Sequence, residues 1–279
     1  MRTYRYFQFL SLDIVLGALA TSCLASRLLA ANPGWVWWVA LAFTVWLLYT
    51  GDHVLDAWRH RKQSNREMHR FIFKHRRFLL WAMGVIGIGD LFLIFNFLDR
   101  TMLKVALMLG GAVLMFYAMR HIFRRNRLLF IPGEAFVLLL YLAGTWMGPF
   151  VVRSGSLQPT HGVIMIMVGG VLMMNLGIIS LYDVQLDSRL GIASLASALG
   201  KRITRNLMLA TAGGIFLLAL LEFLVYGADR TSQFAIILSG MTMVLLLVLL
   251  VPSLFRKQDT YRLVSDAVLY MGFLSLLIS

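Results

Sequence analysis

Nine apolar stretches divide this chain, and they constrain its fold more than any other feature. They run Phe7–Leu29, Trp35–Thr50, Phe78–Leu98, Met102–Met119, Leu129–Val152, Gly162–Leu181, Leu207–Tyr226, Phe234–Leu254 and Leu263–Ile278. About 20 apolar residues in a helix cross a hydrocarbon core of roughly 30 Å, and most of the stretches approach that length. Inside lipid a spanning segment must satisfy its own backbone polar groups, which a helix does. The second and ninth stretches are the shortest. Pro33, Pro132, Pro149, Pro159 and Pro252 all fall in loops or near stretch ends, as helix boundaries require. Mean hydropathy is +0.78, well beyond a soluble domain. The expected fold is an all-α membrane protein: about nine transmembrane helices in one bundle, forming a single polytopic domain over residues 1–279.

The basic residues give that bundle a direction. If the N-terminus is inside, 21 of the 26 Lys and Arg fall at inner positions. The other five are Arg27, Arg100, Lys104, Arg153 and Arg230. This asymmetry follows the positive-inside rule and predicts an N-inside, C-outside protein of the plasma or inner membrane. The net charge of +13 is then explained by loops facing anionic lipid. No nucleic-acid-binding module is visible, so no nucleic-acid partner is expected. The first stretch lacks a small-residue cleavage site and reads as a retained span. The single Cys23 excludes an internal disulfide framework.

Against this basic background, four of the ten Asp residues form two pairs of identical pattern. Asp52-His-Val-Leu-Asp56 follows the second stretch and Asp183-Val-Gln-Leu-Asp187 the sixth. Residues four apart share a helix face, so each pair makes a two-carboxylate claw. The loop charges put both claws on the cytoplasmic side. Carboxylates at a helix C-terminus oppose the helix dipole, and clustering four of them requires cations. Oxygen claws suit Mg²⁺, which binds through one or two carboxylates together with phosphate oxygens. Solvated helix-end acids are the alternative. His53 is a lone imidazole within the first motif and lacks the neighbours of a zinc site.

The segments after the claws are cap loops, residues 57–77 and 188–205. In the first, Ser64 and Glu67 form a capping box. Arg66, Arg70, Lys74 and Arg77 make a basic stripe opposite Met68, Phe71 and Ile72. In the second, Ile192, Leu195, Ala196 and Leu199 recur at helical spacing and Gly200 is a natural stop. The claws stand four helices apart, which implies a four-plus-four-plus-one arrangement. Arg59, Arg120 with Tyr117 one turn before it, and Lys201 are the basic candidates for a diphosphate, with lipid headgroups as the competing use. Asp13, Asp90, Asn96, Asn175 and Glu222 lie at membrane depth, where polar groups are costly. Asn175 is two turns before Asp183 and could line the same cavity. Trp35, Trp37 and Trp38 read as an interfacial belt. The pairs Gly110/Gly111, Gly169/Gly170 and Gly213/Gly214 read as sites of close helix packing.

The second motif, with Tyr182 before it and Gly191 and Ser194 after it, resembles the second signature of the UbiA-type intramembrane prenyltransferases. Nine helices with claws on the second and sixth, and Tyr117 with basic residues closing the fourth, are similar to that family's layout. The resemblance implies a lipid-embedded cavity beneath an Asp/Mg²⁺ cap, with Asp52, Asp56, Asp183 and Asp187 at the catalytic metal positions. Arg59, Tyr117, Arg120, Asn175, Tyr182 and Lys201 are then the substrate-binding candidates. The chain departs from the family where Leu48 replaces an Asn and Ile179 a Tyr. It also lacks an Arg-Pro element after the first claw, and Arg120-His121 follows Tyr117 where the family often has Tyr-x-x-x-Lys.

The implied function is Mg²⁺-dependent transfer of an isoprenyl group from a polyprenyl diphosphate to an aromatic or other lipophilic acceptor. Two other functions share the pattern: a terpene cyclase using the diphosphate alone, and a silent lipid-binding or transport protein. A phospholipid-type phosphotransferase would need an Asp-Gly-x-x-Ala-Arg element that the sequence lacks.

Overall fold

The computed structural model describes residues 2–59, 67–126, 133–190, 194–256 and 259–278. Among them the elements are α1 (Arg2–Phe9), α2 (Leu12–Leu28), α3 (Gly34–Arg59), α4 (Glu67–Phe97), α5 (Arg100–Asn126), α6 (Gly133–Val151), α7 (Pro159–Leu190), α8 (Leu195–Leu199), α9 (Lys201–Tyr226), α10 (Arg230–Leu250), α11 (Pro252–Phe255) and α12 (Thr260–Ala267). A 3₁₀ helix, Val268–Leu277, continues α12, and no strand occurs among the described residues. Six helices are long and apolar enough to cross a membrane: α3, α4, α6, α7, α9 and α10.

Burial ranks these helices. The spanning window of α7 is 50% buried and that of α4 only 11%, so α7 is central and α4 peripheral. On α4, Trp81, Ile88, Phe92 and Phe95 are exposed, and on α9 so are Leu217, Leu220 and Leu224. Contiguous apolar surface of this kind is what lipid solvates. The main core joins α2, α6, α7, α9, α10 and α12 with the 3₁₀ helix through Leu24, Trp146, Met174, Met208, Phe234 and Leu269.

Three sequence expectations change. The first apolar stretch is two helices, broken at Leu10–Ser11 where Ser11 takes φ 56°. Such a φ is costly for a non-glycine residue. Two contacts from α3 hold it: Trp46 Nε1 donates to the Leu10 carbonyl at 2.9 Å, and Ser11 Oγ lies 3.1 Å from His53 Nδ1. Second, the amphipathic segment of the first cap loop is not a separate helix. No Pro or Gly lies between Glu67 and Phe78 to stop it, so it runs on as the start of α4. Its basic face is exposed at Arg70, Lys74 and Arg77, while Ile72 is buried beside Ala57 and Leu79. Ser64, Arg66 and Ile192 lie outside the described residues. Third, Trp35 is exposed but Trp37 is 5% exposed and lies against Gly148, where the packing leaves no room for a Cβ.

Of the glycine pairs, Gly169/Gly170 does face other helices, with Ile215 and Thr211 against Gly170. Gly110, Gly111, Gly213 and Gly214 face open space. The tightest backbone approach lies elsewhere. A Cβ at Gly272 would stand 2.7 Å from the Ala20 carbonyl oxygen of α2. In a 3₁₀ helix every third side chain aligns, and here Leu269, Gly272, Ser275 and Ile278 are all buried. That stripe forms the seam with α2.

Candidate functional site

Both Asp motifs lie at the C-terminal ends of helices, as their four-residue spacing implies. Asp52 and Asp56 fall in the last two turns of α3, and Asp183 and Asp187 in those of α7. The α7 claw is built in detail. Asp183 is 7% exposed, and both of its oxygens are engaged from α12. Tyr261 Oη donates to Oδ1 at 2.5 Å and Arg262 Nη2 to Oδ2 at 2.5 Å. A carboxylate this buried needs such partners, because leaving it unpaired costs several kcal/mol or about that order. Asp187, one turn on, is half-buried.

The seam between α7 and α12 is polar along its length. Tyr182 stacks on Tyr261 with ring centroids 4.3 Å apart and planes 7° apart, and donates its hydroxyl to the Val248 carbonyl at 2.7 Å. Asn175 Nδ2 donates to the Ser265 carbonyl at 2.6 Å and lies 3.4 Å from Asp266. The contacts 175–265 and 183–261 run in opposite senses, so the helices are antiparallel and α12 begins beside the end of α7. Asn175 and Asp183 thus both engage α12. Asp13 of α2 takes a hydrogen bond from Gln8 and lies within electrostatic reach of Asp266.

The second cap loop is locked to this face. Ser194 and Ser197 form a capping box for α8, and Gly200 at φ 85° ends it. Two further amide groups of α8 are satisfied from neighbours: Leu195 N–H by Glu134 Oε1 and Ala196 N–H by Ser180 Oγ, each at 2.8 Å. Lys201 opens α9 immediately afterwards and is exposed.

Asp52 is half-buried, and the backbone of Asp56 and Arg59 is helical. The side chains of Asp56, Arg59, Tyr117 and Arg120 lie outside the described residues. Helix α3 packs on α2 and α4, whereas α7 packs on α9, α10 and α12. The two claw helices are linked directly by α6, which touches both, and again through α2 and α12. Among the described residues no three His, Cys, Asp or Glu side chains converge as a ready metal group.

Two of the remaining deep polar groups have local partners: Asp90 accepts from Thr44 at 2.8 Å and Asn96 donates to the Phe92 carbonyl at 2.8 Å. Glu222 is buried, while the nearby Thr231 hydroxyl donates to Asp229.

Neither a family model nor a curated protein sequence matches the chain. A solved structure does: the apo form of a UbiA homolog from Aeropyrum pernix K1 superposes with a TM-score of 0.62 at 15% identity. The match covers 95% of this chain and 98% of the other. The chain has the fold of a UbiA homolog. With six helices long and apolar enough to cross a membrane, that fold supports a multi-pass membrane protein.

Mg²⁺ takes hard oxygen ligands and accepts one or two carboxylates with water and phosphate completing the set. Asp183 and Asp187 offer such oxygens one turn apart, and Asp183 already holds a cation in the Arg262 guanidinium. The donor chemistry fits the ion. Tyr261, Arg262 and Asp266 are the residues that sequence reasoning missed. The sequence carries their signal, a Tyr-Arg pair with an Asp one turn on at the start of the ninth stretch.

Proposed function

We propose that this protein is a Mg²⁺-dependent intramembrane prenyltransferase acting on a polyprenyl diphosphate and a lipophilic acceptor, with its site on the cytoplasmic face. The observation that supports it best is the buried Asp183, held with a cation at the end of a central helix in a UbiA fold. Asp183 and Asp187, together with Asp52 and Asp56, would hold Mg²⁺. When bound, Mg²⁺ supplies positive charge that offsets charge building on the departing diphosphate.

The protein's own groups do the rest. Lys201 at the start of α9, with Arg59 and Arg120, would bind the diphosphate oxygens. Tyr182 and Asn175 keep α12 on α7 and so fix the direction of Asp183. The C–O bond to the isoprenyl carbon breaks with its electron pair leaving on the diphosphate. The acceptor nucleophile then bonds to that carbon and loses a proton. The apolar helices would exclude water from the cation, and aromatic faces such as Tyr141 and Trp146 would stabilise it.

The test is diphosphate release from a panel of prenyl diphosphates with Mg²⁺, with and without acceptors, by wild type and Asp183→Asn. A fall on the order of 100-fold is expected for the variant. Equal release by both proteins would overturn the assignment. Product made without acceptor, with the mass of the hydrocarbon or its alcohol, would indicate the cyclase instead.

A further inference from the structure

Arg262 meets Asp183 in an unusual way for a structural ion pair. Arginine usually grips a carboxylate with two parallel N–H groups. Here a single terminal nitrogen, Nη2, reaches a single oxygen, and Tyr261 holds the other. That one bond is the guanidinium's hydrogen bond among the described residues, and the side chain is 29% exposed. The rest of the planar fork makes no hydrogen bond among the described residues, beside Asp183 at the end of α7. Tyr261 is different: it is buried at 4% exposure and fixed by its stack on Tyr182. Of these two partners of Asp183, Tyr261 is anchored and Arg262 is on a long, partly exposed stem.

We propose that Arg262 is a tethered counter-cation of the α7 claw. It pairs with Asp183 while no divalent ion is present, gives up the carboxylate when the ion binds, and then turns its guanidinium to the diphosphate of the substrate. The inference rests on the Mg²⁺–diphosphate reading of this site. Two cations brought to one carboxylate oxygen repel each other, so ion binding and the Arg262 pair are mutually exclusive states linked by a coupling free energy. A guanidinium fork matches phosphate oxygens as well as it matches a carboxylate. The released charge thus has an acceptor in the same site. Asp266, one turn along α12 and within the electrostatic reach of Arg262, keeps the arginine from being expelled toward solvent. The arrangement would let the empty enzyme keep Asp183 neutralised without closing the site.

The experiment uses the full-length purified protein in detergent, with Mn²⁺ as probe. Free Mn²⁺ is read by electron paramagnetic resonance, and inorganic pyrophosphate binding is measured calorimetrically at saturating Mn²⁺. Arg262→Gln is expected to bind Mn²⁺ about fivefold tighter or more, at the lower edge of ordinary coupling. The same variant is expected to bind pyrophosphate about fivefold more weakly or worse. These opposite shifts are the signature. Mn²⁺ affinity that is unchanged or weaker, in a variant that still unfolds in one cooperative transition, overturns the proposal, since a merely structural arginine would weaken both. If Arg262→Gln does not fold, Arg262→Lys carries the test. Its one-pronged ammonium should tighten Mn²⁺ binding by about twofold and weaken pyrophosphate, and no change in either overturns the proposal. Mn²⁺ bound equally by wild type, Asp183→Asn and Asp187→Asn would sink the metal-site reading itself, a result distinct from unaltered affinity in the Arg262 variants alone.

Discussion

The Arg262 guanidinium and the Asp183 carboxylate lie 2.5 Å apart although 79 positions separate them in the chain. The pair ties the start of the last helical segment to the end of the central helix. It makes α12 part of the candidate site rather than an appendage to the bundle. Its coupling should be visible in stability. In a double-mutant cycle of Asp183→Asn and Arg262→Gln without divalent ions, each single variant should melt lower than wild type. The double variant should recover part of the loss, with a coupling of about 1–3 kcal/mol. Additive losses, measured by thermal melting in detergent, would contradict the pair.

Tyr261→Phe removes the hydroxyl from Asp183 while keeping the ring that stacks on Tyr182. A hydrogen bond to a charged acceptor contributes about 1.5–3 kcal/mol. We expect a lower melting temperature. Tyr261→Leu, which also loses the stack, should fall further. Equal melting of the two variants would show that the stack contributes nothing.

Gly272→Ala should destabilise the protein more than most single-methyl additions. The new Cβ would meet the Ala20 carbonyl oxygen at 2.7 Å, and backbone cannot turn aside as a flexible side chain can. Overpacking costs about 1–3 kcal/mol. Gly213→Ala, which faces open space, should melt like wild type or slightly higher, because alanine favours the helix. A ranking in the opposite order would contradict the α2 seam.

Asp229 lies outside the spanning helices and caps α10, accepting from the Ser232 amide at 2.9 Å. Partial burial pushes its carboxyl pKa up, but hydrogen bonds from Ser232 and Thr231 outweigh this and hold it below the usual carboxylate value. A depressed folded-state pKa gives stability that is present above the unfolded value of about 3.9 and lost as pH falls through the lower folded value. Asp229→Ala should therefore cost about 1 kcal/mol at neutral pH, and the penalty should shrink below about pH 4. A penalty constant down to pH 2 would contradict the cap.

The features legible in the sequence were those set by local rules. Apolar runs with proline at their ends gave the long helices. Asp pairs four apart on α3 and α7 gave the claws, and Gly200 gave the stop of α8. What escaped depends on contacts distant in the chain. The break at Ser11 is held by Trp46 and His53 of another helix, and no residue near Ser11 announces it. The glycine pairs were misleading because adjacency in sequence does not reveal which face of a helix meets a neighbour. Four of the six are open, while single glycines at 148, 177 and 272 have other side chains or backbone against them. Tyr261 and Arg262 were hidden for the same reason, since their partner lies on α7.

The 3₁₀ stretch also bears on reach. An α-helix rises about 1.5 Å per residue and a 3₁₀ helix about 2.0 Å. The eight residues of α12 and the ten of Val268–Leu277 therefore extend roughly 12 Å and 20 Å. Together they reach about 32 Å, matching the ~30 Å thickness of a hydrocarbon layer. As a uniform α-helix the same residues would extend only about 27 Å. Overwinding the backbone stretches one of the two shortest apolar runs of the chain, so a segment that begins beside Asp183 can still set Ile278 beside Arg27.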